Sequence, residues 1–235
     1  MSAYPYIAFG MFQAKWIKDD IDSCRQGRRG MKGGNSAINS GGIRERNRKR
    51  ILDAALEVFS QNGYRGSTLD QIAGRAGLSK PNMLYYFSGK EEIHLTLLNA
   101  LMDIWLAPLR DIDPDGEPLE EILGYIRRKI DMSFEFPRES RLFANEIMQG
   151  APRMRPHLEA NLKPLFDNAV ALIEKWISEG RLASVDSAHL LFSIWATTQH
   201  YADFNAQVQV LASEESARQK AEAFLDALYR KLLAV

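Results

Sequence analysis

Two groups of side chains in this chain have types and spacing suited to recognition chemistry. Ser79, Lys80, Asn82 and Tyr85 fall within one short segment, and Trp195 stands four residues before Gln199. On a helix, the first group offers a hydroxyl, an ammonium, an amide and a phenol, which can meet phosphate oxygens and the donor and acceptor edges of bases in a major groove. The second is a different kit. Residues four apart share a helix face, so an indole can pack on a flat ring. The primary amide beside it, with donor and acceptor, can bind an edge that carries adjacent C=O and N–H groups. The same spacings also suit a solvated face for Lys80 and Asn82, a core tryptophan, and a glutamine that satisfies a helix end or a subunit contact.

Catalytic chemistry has no comparable set. The four histidines, His94, His157, His189 and His200, are dispersed without metal-ligand spacing, and Cys24 stands alone. No phosphate-cradling glycine loop or nucleophile elbow occurs. Glu135 with Glu139 and the Asp111–Asp115 cluster read as solvated helix-end or loop carboxylates. Neither an enzyme nor a cofactor protein is expected. A single cysteine excludes an intrachain disulfide framework and fits a reducing cytoplasm. No apolar run reaches membrane-spanning length.

The first group needs a scaffold, and the stretch TLDQIAGRAGLSKPNMLYYFSGK from Thr68 to Lys90 supplies one. Leu69, Ile72, Ala73 and Ala76 recur at helical spacing, and Gly77 ends that helix. Ser79 reads as the N-cap of a second helix running to about Phe87, with Pro81 in its first turn. Upstream, a first helix is predicted from about Arg44 to Gln61, burying Ile51, Ala55, Val58 and Phe59. Gly63 ends it, Tyr64 is a core aromatic, and Ser67 caps the next helix with Asp70 as box partner. The cations Arg44, Arg46, Arg48, Lys49 and Arg50 oppose the positive end of a helix dipole and make better sense beside phosphates. From Ser88, with Glu91 completing a capping box, a long helix is predicted through Ile93, Leu97, Leu101 and Trp105 until Pro108. It would join two domains and carry a shift at one end to the other.

The segment ILDAALEVFSQNGYRGSTLDQIAGRAGLSKPNMLYYFSGKEEI resembles the DNA-binding domain of the TetR family of bacterial transcriptional regulators along that family's whole motif. Downstream, DIWLAPL, SRLFANEIMQGAP and IWATTQHYADF resemble a subgroup of that family that responds to uracil. The resemblance implies a homodimer whose two helix-turn-helix units meet the half-sites of a palindromic double-stranded operator. It implies DNA contacts from Thr68, Lys80, Asn82, Tyr85, Tyr86 and Lys90, with Thr68, Tyr86 and Lys90 on phosphates, and Ser79 starting the recognition helix. It further implies that Trp105, Trp195 and Gln199 line a pocket for uracil or thymine, with Phe143, His200, Tyr201 and Asp203 as weaker candidates. The expected function is repression of pyrimidine utilisation, relieved by the effector. The alternatives are a regulator of the same family with a lipophilic effector, a helical ligand-binding protein without an operator, and a pyrimidine enzyme.

The remainder predicts an all-α fold in a chain of 235 residues, 46% hydrophobic. Residues 1–43 read as a glycine- and serine-rich arm rather than a secretory signal, with Met31 a possible translation start. Residues 44–92 read as the helix-turn-helix domain and 93–235 as the effector and dimerisation domain. Residues 1–92 hold 15 basic and 9 acidic side chains against 15 and 21 in the rest, which puts the positive excess at the DNA-binding end. Further helices are predicted at about 119–136, 138–149, 154–179, 186–204 and 214–233, with Pro164 kinking the third. The helix at 186–204 is apolar nearly all round and therefore buried. Phe224, Leu225, Leu228 and Leu232 are expected to form a four-helix contact between subunits.

Overall fold

The computed structural model describes residues 38–212 and 217–235; Cys24, most of the N-terminal arm and Met31 lie outside them. Every regular element among the described residues is helical. The chain packs as two compact units. One is built from residues up to Ala55 with Thr68–Ile93, the other from Leu56–Ser67 with His94–Val235.

In the first unit, α1 (Ile38–Gly66) contributes its N-terminal half, α2 (Leu69–Ala76) and α3 (Lys80–Leu84) form the helix-turn-helix, and α4 (Lys90–Arg110) begins. Ile51, Ala55, Ile72, Ala73, Ala76, Met83, Phe87 and Ile93 are buried and make its core. The turn follows from Gly77, which adopts φ +64°, ψ 36° and returns its N–H to Ala73 and Gly74, while Leu78 N–H reaches the Ala73 carbonyl at 3.0 Å. Residues with a Cβ strongly disfavour that conformation. The cap of α2 lies one residue later than expected. Thr68, not Ser67, holds extended backbone at the N-cap, and its box partner is Gln71, not Asp70. Ser67 is drawn inward instead, its hydroxyl donating to the carbonyls of Gly63 at 2.6 Å and Val58 at 3.3 Å beside the break in α1 at Gly63 (φ +64°, ψ 176°).

In the second unit, α5 (Pro118–Glu135) lies between α8 (Ser187–Asp203) and α10 (Ala217–Leu233), and α6 (Pro137–Met148) and α7 (Lys163–Ser178) also pack on α8. A short α9 (Asn205–Leu211) follows α8, in the stretch between the last two predicted helices. Ile122, Tyr125, Ile126 and Ile130 from α5 meet Trp176, Leu190, Leu191, Ile194, Leu225, Tyr229 and Leu233 in one core. Each such fully buried aliphatic side chain contributes about 1.5–3 kcal/mol. The segment before α7 is divided as expected. Pro164 cannot donate to the carbonyl four residues back, and a π-turn at Leu158–Leu162 takes up the mismatch, Lys163 N–H bonding the Leu158 carbonyl.

Pro108 does not stop α4, which continues to Arg110; the proline falls in the last turn, where few hydrogen bonds remain to be lost. The division between the units falls within α1, after Ala55, as well as within α4, after Ile93. The reason is visible in the packing of α1's C-terminal half. Phe59 and Tyr64 sit edge-on to His94 at 4.8 and 4.9 Å, Arg138 pairs with Glu57 at 3.2 Å, and the Arg153 guanidinium lies 3.5 Å over the Tyr64 ring.

Candidate functional site

The helix-turn-helix places the first group of candidates on one short stretch. Ser79 holds φ −74°, ψ 151° and accepts from Asn82 N–H at 3.3 Å, so it is the N-cap that the sequence predicts. The helix it starts is shorter than predicted, ending at Leu84, with Tyr86 and Phe87 N–H groups folding back onto the Met83 carbonyl. Phe87 has to turn into the core and is 1% exposed, which is incompatible with prolonging a straight helix whose other face is polar. Lys80, Asn82 and Tyr85 are exposed, Tyr85 by 73%. Lys80 is held by Asp70 at 2.9 Å. This ion pair is on the surface and worth little, so a phosphate can displace it at small cost.

Thr68 and Tyr86 are less open. The Thr68 hydroxyl is engaged with Gln71 in the capping box. The Tyr86 hydroxyl accepts from the Asn47 amide at 2.8 Å, and its carbonyl accepts from Arg48 at 2.9 Å. Arg48 also lies 4.2 Å over the Phe87 ring, and Arg50 donates to the Ala76 carbonyl at 2.7 Å. Two of the five cations assigned to phosphates therefore brace the domain. Arg50 completes the exposed C-terminal end of α2, where positive charge is favoured. Lys90 opens α4, and Glu92 rather than Glu91 caps it, accepting from the Ser88 N–H at 2.6 Å and hydroxyl at 2.7 Å. Glu92 is the third residue of the helix and Glu91 only the second, so Glu92 alone reaches back. Those two hydrogen bonds hold its carboxyl below the ordinary carboxylate range.

The second group lies within the second unit. Trp195, Gln199 and Asp203 follow one another down a single stripe of α8, Trp195 meeting Tyr125 of α5 and Asp203 meeting Ser140 of α6. Trp195 is half-buried; its Nε1–H donates to the Tyr125 hydroxyl at 2.6 Å, and its ring lies 5.8 Å from Phe166 and 5.7 Å from Phe192. Burial pushes the Tyr125 hydroxyl up to about 12, keeping it neutral. Gln199 is half-buried, and no described residue hydrogen-bonds its amide. Trp105 on α4 is 8% exposed, and its buried Nε1–H has no partner among the described residues.

Lys129 and Ser140 were missed by sequence reading. Lys129 stands one turn beyond Tyr125 on α5, is 3% exposed, and holds Nζ 5.2 Å from the Trp105 ring centre. Burial pulls its ammonium down from 10.5 to about 7, against the opposing pull of Asp203. Burial raises the Asp203 carboxyl in turn, opposed by the Ser140 hydroxyl, which donates to it at 2.6 Å, and by Arg141, Lys129 and His200. Lys129 thus stands against Trp105 and feels the charge of Asp203, which lies on the stripe that carries Gln199. The available signal was a lysine on the apolar stripe Ile122, Ile126, Ile130 of α5, since a lone buried cation is rare without a reason. An open hollow of about 390 Å³ elsewhere, between α5 and α10, is lined by Arg127, Gln219, Glu222, Ala223 and Asp226 and includes none of these residues.

Phe224, Leu228 and Leu232 form an outward stripe of α10, exposed by 62, 41 and 45%, with Phe192 of α8 also exposed. Leu225, which the sequence grouped with them, is 1% exposed and belongs to the core, because it follows the inward spacing of Ala221, Tyr229 and Leu233. Within the described residues no helix is long and apolar enough to cross a membrane.

Residues 51–97 match the bacterial regulatory proteins of the tetR family, and 98–234 match the C-terminal region of YcdC-like proteins. The HTH-type transcriptional regulator RutR of Escherichia coli (strain K12) is 49% identical over 164 residues, spanning 70% of this chain and 77% of that protein. Among solved structures, the ketosteroid transcriptional regulator KstR2 of Mycobacterium tuberculosis superposes with a TM-score of 0.65 at 20% identity, over 80% of this chain and 95% of that one. AibR in complex with isovaleryl coenzyme A and operator DNA does so at 0.63 and 17% identity, over 79% and 97%. At such identities the two structures speak for the fold alone. Helix-turn-helix, helical second unit and close relatives agree that this chain is a DNA-binding transcriptional regulator, not an enzyme, and that it belongs to the TetR family.

Proposed function

We propose that this regulator is a cytoplasmic homodimeric repressor of pyrimidine utilisation, released from a palindromic operator when uracil or thymine binds. The observation that carries the effector assignment is the half-buried amide of Gln199, unpartnered among the described residues, one turn from Trp195 on the helix that also carries Asp203. An amide in that position awaits a ligand edge with one donor and one acceptor. The likeness to RutR, and the uracil response that the sequence resemblance implies, support the same class of ligand.

On DNA, Lys80 and Asn82 of α3 and Tyr85 just after it reach into the groove, while Ser79, Thr68, Tyr86 and Lys90 hold the flanking phosphates. Base contacts specify and phosphate contacts position. The exposed stripe of Phe224, Leu228 and Leu232 meets its copy across the dimer axis, and two-fold symmetry of the protein then calls for two-fold symmetry of the operator. No cofactor is required.

Release needs a physical path, and α6 offers one. Ser140 contacts Asp203 beside the ligand stripe, and Arg138, two residues earlier, pairs with Glu57 of α1. A ligand that reshapes the stripe moves both. To shift operator occupancy tenfold it must prefer the released state by only about 1.4 kcal/mol.

Calorimetric titration with uracil, thymine and cytosine, alongside operator release in a mobility-shift assay, tests this reading. Saturable uracil binding and DNA release are expected, both lost in Gln199→Ala while operator binding persists. Normal induction of Gln199→Ala by uracil refutes the pocket. Absence of any pyrimidine binding refutes the effector class and returns the search to lipophilic ligands.

A further inference from the structure

Lys129 is a buried residue whose ammonium has no oxygen partner among the described residues. Its Nζ makes no hydrogen bond or ion pair with any described residue; its nearest assigned contact is the Trp105 ring, 5.2 Å away. Beside it stands a second orphan donor, the buried Trp105 Nε1–H. A fully buried donor such as the Trp105 Nε1–H is costly to leave unsatisfied, and a native core rarely does so without a ligand or water to accept. The nearby carboxylate, Asp203, is engaged by the Ser140 hydroxyl at 2.6 Å, so it is oriented toward α6. What the site lacks is a neutral acceptor. A pyrimidinedione carries two carbonyl oxygens that flank one ring N–H, and Gln199 can read only part of that edge.

We propose that Lys129 is a second polar anchor of the effector site, its Nζ donating to a carbonyl oxygen of the ligand. The inference rests on the pyrimidine reading above and names the residue that would set specificity within it. Because a carbonyl oxygen hydrogen-bonds the charged amine better than the neutral one, binding favours protonation of Lys129. In the free protein burial keeps that amine near 7. Ligand binding around neutral pH and just above therefore takes up a proton, and affinity falls as pH rises, by at most tenfold per pH unit. The groups acting on Lys129 are Trp105 from α4 and Asp203 from α8, and Asp203 is itself acted on by Ser140 and Arg141 from α6 and by His200 from α8. Of these, Asp203 and His200 could exchange a proton in its place.

The test is calorimetric titration of the full-length protein with uracil, in buffers of different ionisation enthalpy, at pH values from about 6 to 8. Wild type, Lys129→Met, Asp203→Asn and His200→Asn are compared, with the melting temperature of each free variant as a check of folding. Wild type is expected to take up a fraction of a proton near pH 7.5. Lys129→Met is expected to bind about 10- to 100-fold more weakly, the range for a lost hydrogen bond to a charged group, with a flat pH profile and no proton uptake. Equal affinity of Lys129→Met and wild type overturns the inference and leaves the pyrimidine reading standing. So does uptake that persists in Lys129→Met and disappears in Asp203→Asn or His200→Asn. Failure of wild type to bind uracil removes both. Should Lys129→Met not fold, the wild-type buffer series still decides, since binding without proton uptake across that range refutes a titrating donor.

Discussion

Replacing Gly77 with alanine should damage the helix-turn-helix by two separable routes. Gly77 sits at φ +64°, ψ 36°, and an L-residue held there costs roughly 1–2 kcal/mol. Its added Cβ would lie 2.9 Å from Nη2 of Arg50, closer than carbon and nitrogen tolerate. The guanidinium must move, and its 2.7 Å hydrogen bond to the Ala76 carbonyl is lost or lengthened. Because that arginine is largely exposed, the ordinary net value of a hydrogen bond applies rather than the larger one of a buried charge, about 1 kcal/mol. The sum is about 2–3 kcal/mol, a large share of the stability of a small domain. Urea unfolding of wild type, Gly77→Ala, Arg50→Ala and the double variant reads both parts. The strained backbone cost survives in the double variant, whereas the clash does not. The two single effects should therefore exceed the double by about 1 kcal/mol, as expected for residues in contact. A Gly77→Ala midpoint corresponding to less than about 0.5 kcal/mol, within the ordinary scatter of surface changes, would show that neither the left-handed turn nor the Arg50 brace matters. Strict additivity would show that the Cβ and the guanidinium do not meet.

Two further outcomes follow from the caps and the outer face. Glu92 is held below its ordinary value of 4.5 by the Ser88 hydrogen bonds, so its contribution to stability is full above that value and is lost as pH falls through the depressed one. Glu92→Gln should accordingly lower the melting temperature at neutral pH, with the gap closing in acid; a gap independent of pH would contradict the capping geometry. Leu228→Glu, which alters only the exposed stripe of α10, should yield a monomer in sedimentation with an intact helical spectrum and weakened operator binding. An unchanged dimer would move the subunit contact to another face.

Local signals made much of this fold legible. Ile51, Ala55, Val58 and Phe59 are buried as their helical spacing predicts, and Ser79 and Gly77 bound the turn between α2 and α3 where sequence alone puts them. The errors came where two neighbouring residues offer the same chemistry. Ser67 and Thr68 are both good caps, as Glu91 and Glu92 are both good box partners, and the choice depends on where the backbone turns into the helix and which N–H groups it leaves open. Arg48 and Arg50 likewise look like phosphate ligands in sequence, and become intradomain braces only when Tyr86, Phe87 and Ala76 arrive opposite them.

By itself, the sequence determined the all-helical architecture, the helix-turn-helix and the family, because capping, periodicity and turn chemistry act between residues a few positions apart. It also placed Trp195 and Gln199 on one helix face, for the same reason. Only tertiary structure decided that Leu225 turns into the core while Phe224, Leu228 and Leu232 face out, since a phase difference of one residue around a helix is resolved by what packs against it. Only tertiary structure joined Trp105, Lys129, Ser140 and Asp203, which four helices bring together from across the chain. A buried lysine takes its character from desolvation and from the charges around it. Both are properties of the packed neighbourhood, which no local pattern carries.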